Sequence, residues 1–176
     1  MTAVNTATTI LSGLAPARPA FAAVAEAELD SVYGYLLFLT RDRHVAEDLT
    51  GATFEKAFST WRRFDPQRGT ARAWLCAIAR NAALDHFRAE RRRVRREAEY
   101  ARDATGVAEP DWDDGALAAA LGELSPAERE VVALRIVLDM DAPATARILG
   151  ISATACSTRL SRAMKRLEEL MSNVRV

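Results

Sequence analysis

Apolar positions in this chain recur at three- and four-residue intervals, and two-residue alternation never lasts. Leu29, Val32, Tyr33, Leu36, Leu37 and Leu39 follow the i, i+3, i+4, i+7 rule, which predicts an amphipathic helix over about residues 20–40. A second helix is expected from about His44 to Trp61, with Val45, Leu49, Ala52, Phe58 and Trp61 on its inner side. The loop "FDPQRG" breaks the chain with Pro66 and Gly69. Thr70 then suits the N-cap of a long third helix whose apolar side holds Trp74, Leu75, Ile78, Ala79 and Ala82. That helix ends in a string of arginines.

After the arginines, "EYARDATGVAEPDWDDG" carries Gly, Pro and acidic residues with little periodic apolar content. It reads as a flexible acidic linker over residues 97–116, longer than loops inside compact domains usually are. The fold class is therefore all-α, with two small helical domains, residues 20–96 and 117–172, behind a loose tail over residues 1–19. In the second domain "LAAALGEL" is a short helix, and "SPAE" (Ser125 to Glu128) is a capping box with Pro at the first helical position. It opens a helix carrying Val131, Val132, Leu134, Ile136, Val137 and Leu138. Asp141 can cap a short helix ending at Leu149, and Gly150 suits the left-handed residue that terminates it. Ile151 packs inward, Ser152 caps again, and a longer helix runs to about Met171. Helix, Gly-containing turn and Ser-capped helix make a helix-turn-helix layout. Its second helix has an inner stripe of Cys156, Leu160, Met164 or Ala163, and Leu167. Small polar and cationic residues remain on the outside, suited to a major groove.

The formal net charge of zero conceals a pattern. Residues 60–102 carry a net +7 and residues 142–176 a net +4, separated by a net −8 over residues 103–141. For a polyanionic partner the local field matters more than the total. Cys76 and Cys156 stand far apart without a CxxC or Cys/His cluster, so each is expected to fill a small apolar slot. No apolar run approaches a membrane span, and the N-terminal segment lacks the basic start and apolar centre of a signal peptide. A soluble cytoplasmic protein follows. An enzyme is disfavoured: Cys76 and His86 lie about 15 Å apart along one helix, out of hydrogen-bond reach. His44 with Glu47 has no second pair to complete a metal site, and no phosphate-binding Gly loop occurs. No cofactor is called for.

Taken in order, "AEDLTGATFEKAF", "ARAWLCAIARNAALDHFR", the acidic linker, "LSPAEREVVALR" and "ARILGISATACSTRLSRAMKRL" resemble the extracytoplasmic-function branch of bacterial RNA polymerase sigma factors. The resemblance covers about residues 20–172. It implies a first domain like sigma region 2, which melts and reads the −10 element, and a second like region 4, which reads the −35 element. It also implies core RNA polymerase, promoter DNA and an anti-sigma factor as partners. Asn81 stands where the family places a polar residue near an extruded −10 base, and Asp85 lies one turn later on the same face. The loop residues Phe64, Asp65 and Arg68 resemble the segment that walls the base pocket. Trp74 belongs either to the core or to the strand-facing surface. Arg80, Arg88, Arg91, Arg92 and Arg93 are expected on phosphates, which position without specifying. Thr154, Ser157, Thr158, Ser161 and Arg162 face the −35 groove, where Arg162 is able to make a bidentate guanine contact. Arg147, Arg159 and Arg166 either touch phosphates or are solvated helix-face charges.

Glu47, Asp48, Leu49, Phe54 and Lys56 match the surface that docks on polymerase. The chain departs from the family at three places: Gly51-Ala52 replaces a Gln-Glu pair, Ala144-Thr145 replaces Glu-Ile, and Ser157 replaces a frequent cation. The linker, with Trp112, either mimics nucleic acid in a basic channel or only keeps a tether soluble. Two rivals stay open: a helix-turn-helix regulator without polymerase, which leaves residues 44–93 without a purpose, and a degenerate sigma-like protein that no longer initiates transcription.

Overall fold

A computed structural model describes residues 19–100 and 115–174. The loose tail and most of the acidic linker, including Trp112, lie outside the described residues. Seven α-helices follow one another, with no strand among the described residues. They are α1 (Phe21–Thr40), α2 (Arg43–Thr60), α3 (Ala71–Tyr100), α4 (Gly115–Gly122), α5 (Pro126–Val132), α6 (Ala142–Leu149) and α7 (Ala153–Val174). A short 3-10 turn, Trp61–Arg63, extends α2, and a π-helical turn, Ala133–Val137, extends α5. The expected linker over 97–116 is thus too long at both ends, because α3 continues to Tyr100 and α4 begins at Gly115.

Helices α1, α2 and α3 form the first unit. Arg41 closes α1 in the left-handed region (φ 57°), its N–H donating to the Leu37 carbonyl at 2.8 Å. Asp42 follows at once as the N-cap of α2, accepting from the Val45 N–H at 3.0 Å. The buried side of α2 is Ala46, Thr50, Thr53 and Ala57. The expected inner residues Ala52 and Phe58 are instead exposed, Phe58 by 69%. Small side chains let α2 lie close to its neighbours, and the Thr50 and Thr53 hydroxyls satisfy themselves on the Ala46 and Leu49 carbonyls at 2.7 Å each. Thr70 caps α3 as expected, accepting from the Ala73 N–H at 3.1 Å.

Helices α4 to α7 form the second unit, and its punctuation follows the sequence closely. Ser125 and Glu128 make the reciprocal capping box, Asp141 accepts from the Ala144 N–H at 2.6 Å, and Gly150 takes φ 68°. Ser152 caps α7 through the Ala155 N–H at 3.1 Å. Cys156, Ala163 and Leu167 are buried in its inner stripe, whereas Met164 is 42% exposed. The π turn shifts the phase of the preceding helix, so Ile136 and Val137 point outward although Leu134 and Leu138 are buried.

The two units abut instead of hanging on a free tether. α1 packs against α5 and the π turn, and α3 packs against α6. One apolar cluster runs from Val32, Tyr35 and Leu36 of α1 through Leu75 and Ala79 of α3 to Val131 and Leu134. Burial of that apolar surface, at about 25 cal/mol per Å2, favours the closed arrangement.

Candidate nucleic-acid interface

The long helix α3 presents its first five turns to the protein and its last turns to solvent. Leu75, Cys76, Ala79 and Ala83 are buried, while Asn81 is exposed on the opposite side. Asp85, one turn on, is also exposed and pairs with Arg88 at 2.9 Å. Arg93 is clasped between Glu90 at 2.6 Å and Glu97 at 3.4 Å, and Arg91 Nε donates to the Phe87 carbonyl at 3.4 Å. The Arg93 hydrogen bond holds the Glu90 carboxyl below its usual range. All these groups are solvent-facing, and such pairs contribute little to stability. They can exchange a carboxylate for a phosphate at small cost.

Arg80 departs from its expected place on phosphate. Its guanidinium Nη2 donates to Glu130 Oε2 of α5 at 3.2 Å, and Nε lies 3.0 Å from Oε1 without the alignment of a hydrogen bond. Both side chains are largely buried, at 20% and 11% exposure. Beside them the Tyr35 hydroxyl is buried without a hydrogen-bond partner. Burial pushes its pKa well above the ordinary range; Glu130 and Cys76 add to the shift and Arg80 opposes it. A polar knot therefore fastens the two units together. Arg41 adds a second tie through the Ala118 carbonyl at 3.1 Å, and Arg129 donates to the Gly122 and Leu124 carbonyls at 3.2 Å each.

The Phe64–Thr70 loop sits where α3 begins. Asp65 organises it, accepting from the Gln67 N–H on its side chain at 3.0 Å and from the Arg68 N–H on its carbonyl at 3.1 Å. Phe64 is only 3% exposed and stacks on Trp61 at 4.8 Å, so it supports the loop and does not offer a free ring face. Trp74 is half-buried, edge-on to Trp61 at 5.6 Å and tilted on Phe64 at 5.7 Å. Its ring is packed on Trp61 and Phe64, and the rest of it is partly accessible. Across a cleft stands α6, whose Arg147 Nη1 donates to the Arg68 carbonyl at 2.8 Å. Arg147 thus faces the first unit in this arrangement, not a duplex.

The outer face of α7 is open. Thr154, Ser157, Thr158, Ser161, Arg162 and Arg166 are exposed, and Arg159 is half-buried. Thr154, Thr158 and Arg162 share a face along a groove that also meets Ser125 and Glu128 of the capping box. Ser157 Oγ donates back to the Ala153 carbonyl at 3.1 Å. Glu128 is held below the usual carboxyl range by its Ser125 hydrogen bonds, with Arg166 and Arg159 assisting.

On α2, Glu47, Asp48 and Lys56 are exposed and Leu49 and Phe54 half-buried. Gly51 and Ala52 lie on the same outer side, and nothing within 4 Å would obstruct a side chain at Gly51. Sequence reasoning missed Glu130 and Arg63. Glu130 left one signal, a lone acid on the stripe that carries Val131 and Leu134. Arg63, which borders the cleft, left none.

Residues 24–93 match the Sigma-70 region 2 family, and residues 114–167 match Sigma-70 region 4. The chain is 34% identical over 151 residues to the RNA polymerase sigma factor CarQ of Myxococcus xanthus, covering 81% of this chain and 84% of that protein. This chain is a member of the extracytoplasmic-function sigma factors. It is also 33% identical to the ECF sigma factor BldN of Streptomyces coelicolor over 81% of its length, although it spans only 56% of BldN. The structure of the sigma factor RpoE in complex with the anti-sigma factor NepR from Bartonella quintana superposes with a TM-score of 0.74. It shares 25% identity and covers 86% of this chain and 96% of that one. By these matches α1 to α3 form sigma region 2 and α4 to α7 form sigma region 4.

Proposed function

We propose that this sigma factor grips a promoter at two places, region 2 holding the separated −10 strand and region 4 reading −35 duplex. As a sigma factor the chain is a promoter-directing transcription initiation factor. It works with core RNA polymerase, in the cytoplasm, and catalyses no reaction of its own. Asn81 reads an extruded base: an amide offers both donors and acceptors to a base edge, and stacking holds what has left the duplex. Asp65, Arg68 and Trp74 border that base, and Arg88, Arg91, Arg92 and Arg93 follow the backbone. Thr154, Ser157, Thr158, Ser161 and Arg162 enter the −35 groove, with Arg159 and Arg166 at its phosphates. Glu47, Asp48, Leu49, Phe54 and Lys56 dock on polymerase. An anti-sigma factor, of the kind that accompanies RpoE in its complex, restrains the chain until it is needed.

One observation carries this reading. A single chain exposes an amide on an arginine-rich helix and, on another helix, a small-polar face ending in Arg162. A helix-turn-helix regulator acting alone uses only the second. Run-off transcription with purified core polymerase tests the role, and no promoter-dependent transcript at any promoter would overturn it. Asn81→Ala is expected to lower strand opening, read by permanganate, about tenfold, the scale of a lost hydrogen bond or two, with closed-complex affinity unchanged. Equal losses in both would remove Asn81 from the pocket.

A further inference from the structure

A cavity of about 420 Å3, separate from the cleft at Arg147, opens where α1, α3 and α5 converge. That volume is in the range of small-molecule sites. Both regions contribute to its apolar lining, Leu39, Leu84 and Phe87 from region 2 and Pro126 from region 4. Leu39 is buried, Leu84 and Phe87 are half-buried, and the Phe87 ring stands edge-on to His86 at 5.7 Å. None of these four side chains offers a hydrogen bond, so the lining favours hydrocarbon over a sugar or an amide.

The charged part of the lining is unevenly matched. Its two acids are already paired, Glu90 with Arg93 at 2.6 Å and Glu130 with Arg80 at 3.0 Å. Its two cations, Arg91 and Arg129, have no carboxylate within ion-pair distance among the described residues. Arg91 is exposed and spends only Nε, on the Phe87 carbonyl at 3.4 Å. Arg129 spends Nη2 on the Gly122 and Leu124 carbonyls, and its Nε is buried without an acceptor. Burial lowers the Arg129 pKa, and the neighbouring Arg41 charge lowers it further. Two unmatched guanidiniums beside an apolar cavity select a ligand with one anionic head and a hydrocarbon body. A bare anion would leave the cavity unfilled, and a neutral hydrocarbon would leave the guanidiniums unmatched.

We propose that this cavity binds a free medium-chain fatty acid, its carboxylate on Arg91 and Arg129 and its chain along Leu84, Phe87 and Pro126. A carboxylate matches the planar guanidinium fork. Because α5 supplies Pro126 and Arg129, the bound acid ties region 4 to region 2 and opposes their separation. The consequence for promoter use rests on the functional reading above; the binding site itself does not.

Isothermal titration calorimetry on the full chain, without DNA or polymerase, tests the site with octanoate as the probe. Acetate, 1-octanol and octylammonium serve as the head alone, the uncharged chain and the chain of opposite charge. Octanoate is expected to bind with Kd below about 1 mM, and each of the other three about tenfold or more weakly, the scale of one charge-assisted contact. Arg91→Ala and Phe87→Ala should each weaken octanoate to a similar extent. Lys165→Ala, outside the cavity, should leave it unchanged. Arg91 is exposed, so its variant is expected to fold, with circular dichroism as the check. Amide exchange along α5 should slow on adding octanoate. No heat up to about 5 mM octanoate, octanol or octylammonium binding as tightly, undiminished binding by Arg91→Ala, or unaltered exchange in α5 would each overturn the proposal. So would co-sedimentation with phosphatidylglycerol vesicles that Arg91→Ala abolishes, which would assign the patch to a lipid surface. A dimer of the free chain that Phe87→Ala dissolves would assign it to a second copy, with the same result. Failure of the promoter assignments would change none of these readings.

Discussion

Regions 2 and 4 differ in how many of the groups proposed to meet DNA are engaged by the protein itself. In region 4 the outer face of α7 is bare, and its helix is capped and complete without any help from region 2. In region 2 the chain has spent several groups internally: Arg80 is held by Glu130, the Arg68 carbonyl by Arg147, and the front of Trp74 faces α6 across the cleft. Asn81, Asp65, Arg68, Asp85 and the distal arginines remain exposed. On the proposed assignments the duplex-reading face of α7 is open, whereas the loop proposed to hold the separated strand faces α6 across the cleft.

The largest test of this contrast is Arg80→Ala. It leaves the Glu130 carboxylate, 9% exposed as a residue, without its counter-charge, and breaking such a buried pair costs about 3–5 kcal/mol. Glu130 regains water if the regions separate, so small-angle scattering should show an expanded chain that keeps its helical content. An unchanged radius would mean that the apolar contacts alone hold the closed form. Arg162→Ala should do the reverse. It is expected to remove about 1–3 kcal/mol of −35 discrimination in a duplex binding assay without altering the scattering. Loss of compactness in that variant would erase the distinction between the regions.

A smaller effect is expected at Thr145, fully buried in α6 with its hydroxyl unpartnered. Thr145→Val keeps the shape and should add about 1 kcal/mol to stability, seen as a rise of about 2–4 °C in Tm. A drop would show that the hydroxyl is satisfied in solution. The smallest effect belongs to Cys76, whose thiol burial pushes up to about 12, with Glu28 adding to the shift and Arg72 opposing it. A raised folded-state pKa contributes stability that is fully present below the ordinary thiol range and is lost as pH climbs toward 12. The denaturation midpoint should therefore fall with alkaline pH more steeply in the native chain than in Cys76→Ala. Parallel curves would mean that the thiol is not desolvated.

Much of the fold was legible because helix ends are local chemistry. Thr70, Ser125 with Glu128, Asp141, Gly150 and Ser152 each satisfy or terminate a backbone within four residues, and sequence spacing reveals that directly. The inner face of α2 was not legible, because hydrophobicity pointed to Ala52 and Phe58 while close helix approach called for Ala46, Thr50, Thr53 and Ala57. The π turn misled for another reason, since one altered turn moves Ile136 and Val137 off the predicted stripe. In the interface, Asn81 and the α7 residues are single-helix features and could be placed on a face. The Arg80–Glu130 tie joins positions 50 apart, and the cleft joins α6 to a loop in the other region. No periodicity records either.

The arginine end of α3 carries its own counter-anions. Asp85, Glu90 and Glu97 already neutralise Arg88 and Arg93, so a DNA backbone arriving there displaces tethered carboxylates as well as dissolved ions. The freed carboxylates gather cations of their own, so the net release is smaller than the number of arginines suggests. Attachment through this helix is then expected to fall less steeply with added salt than its count of arginines implies.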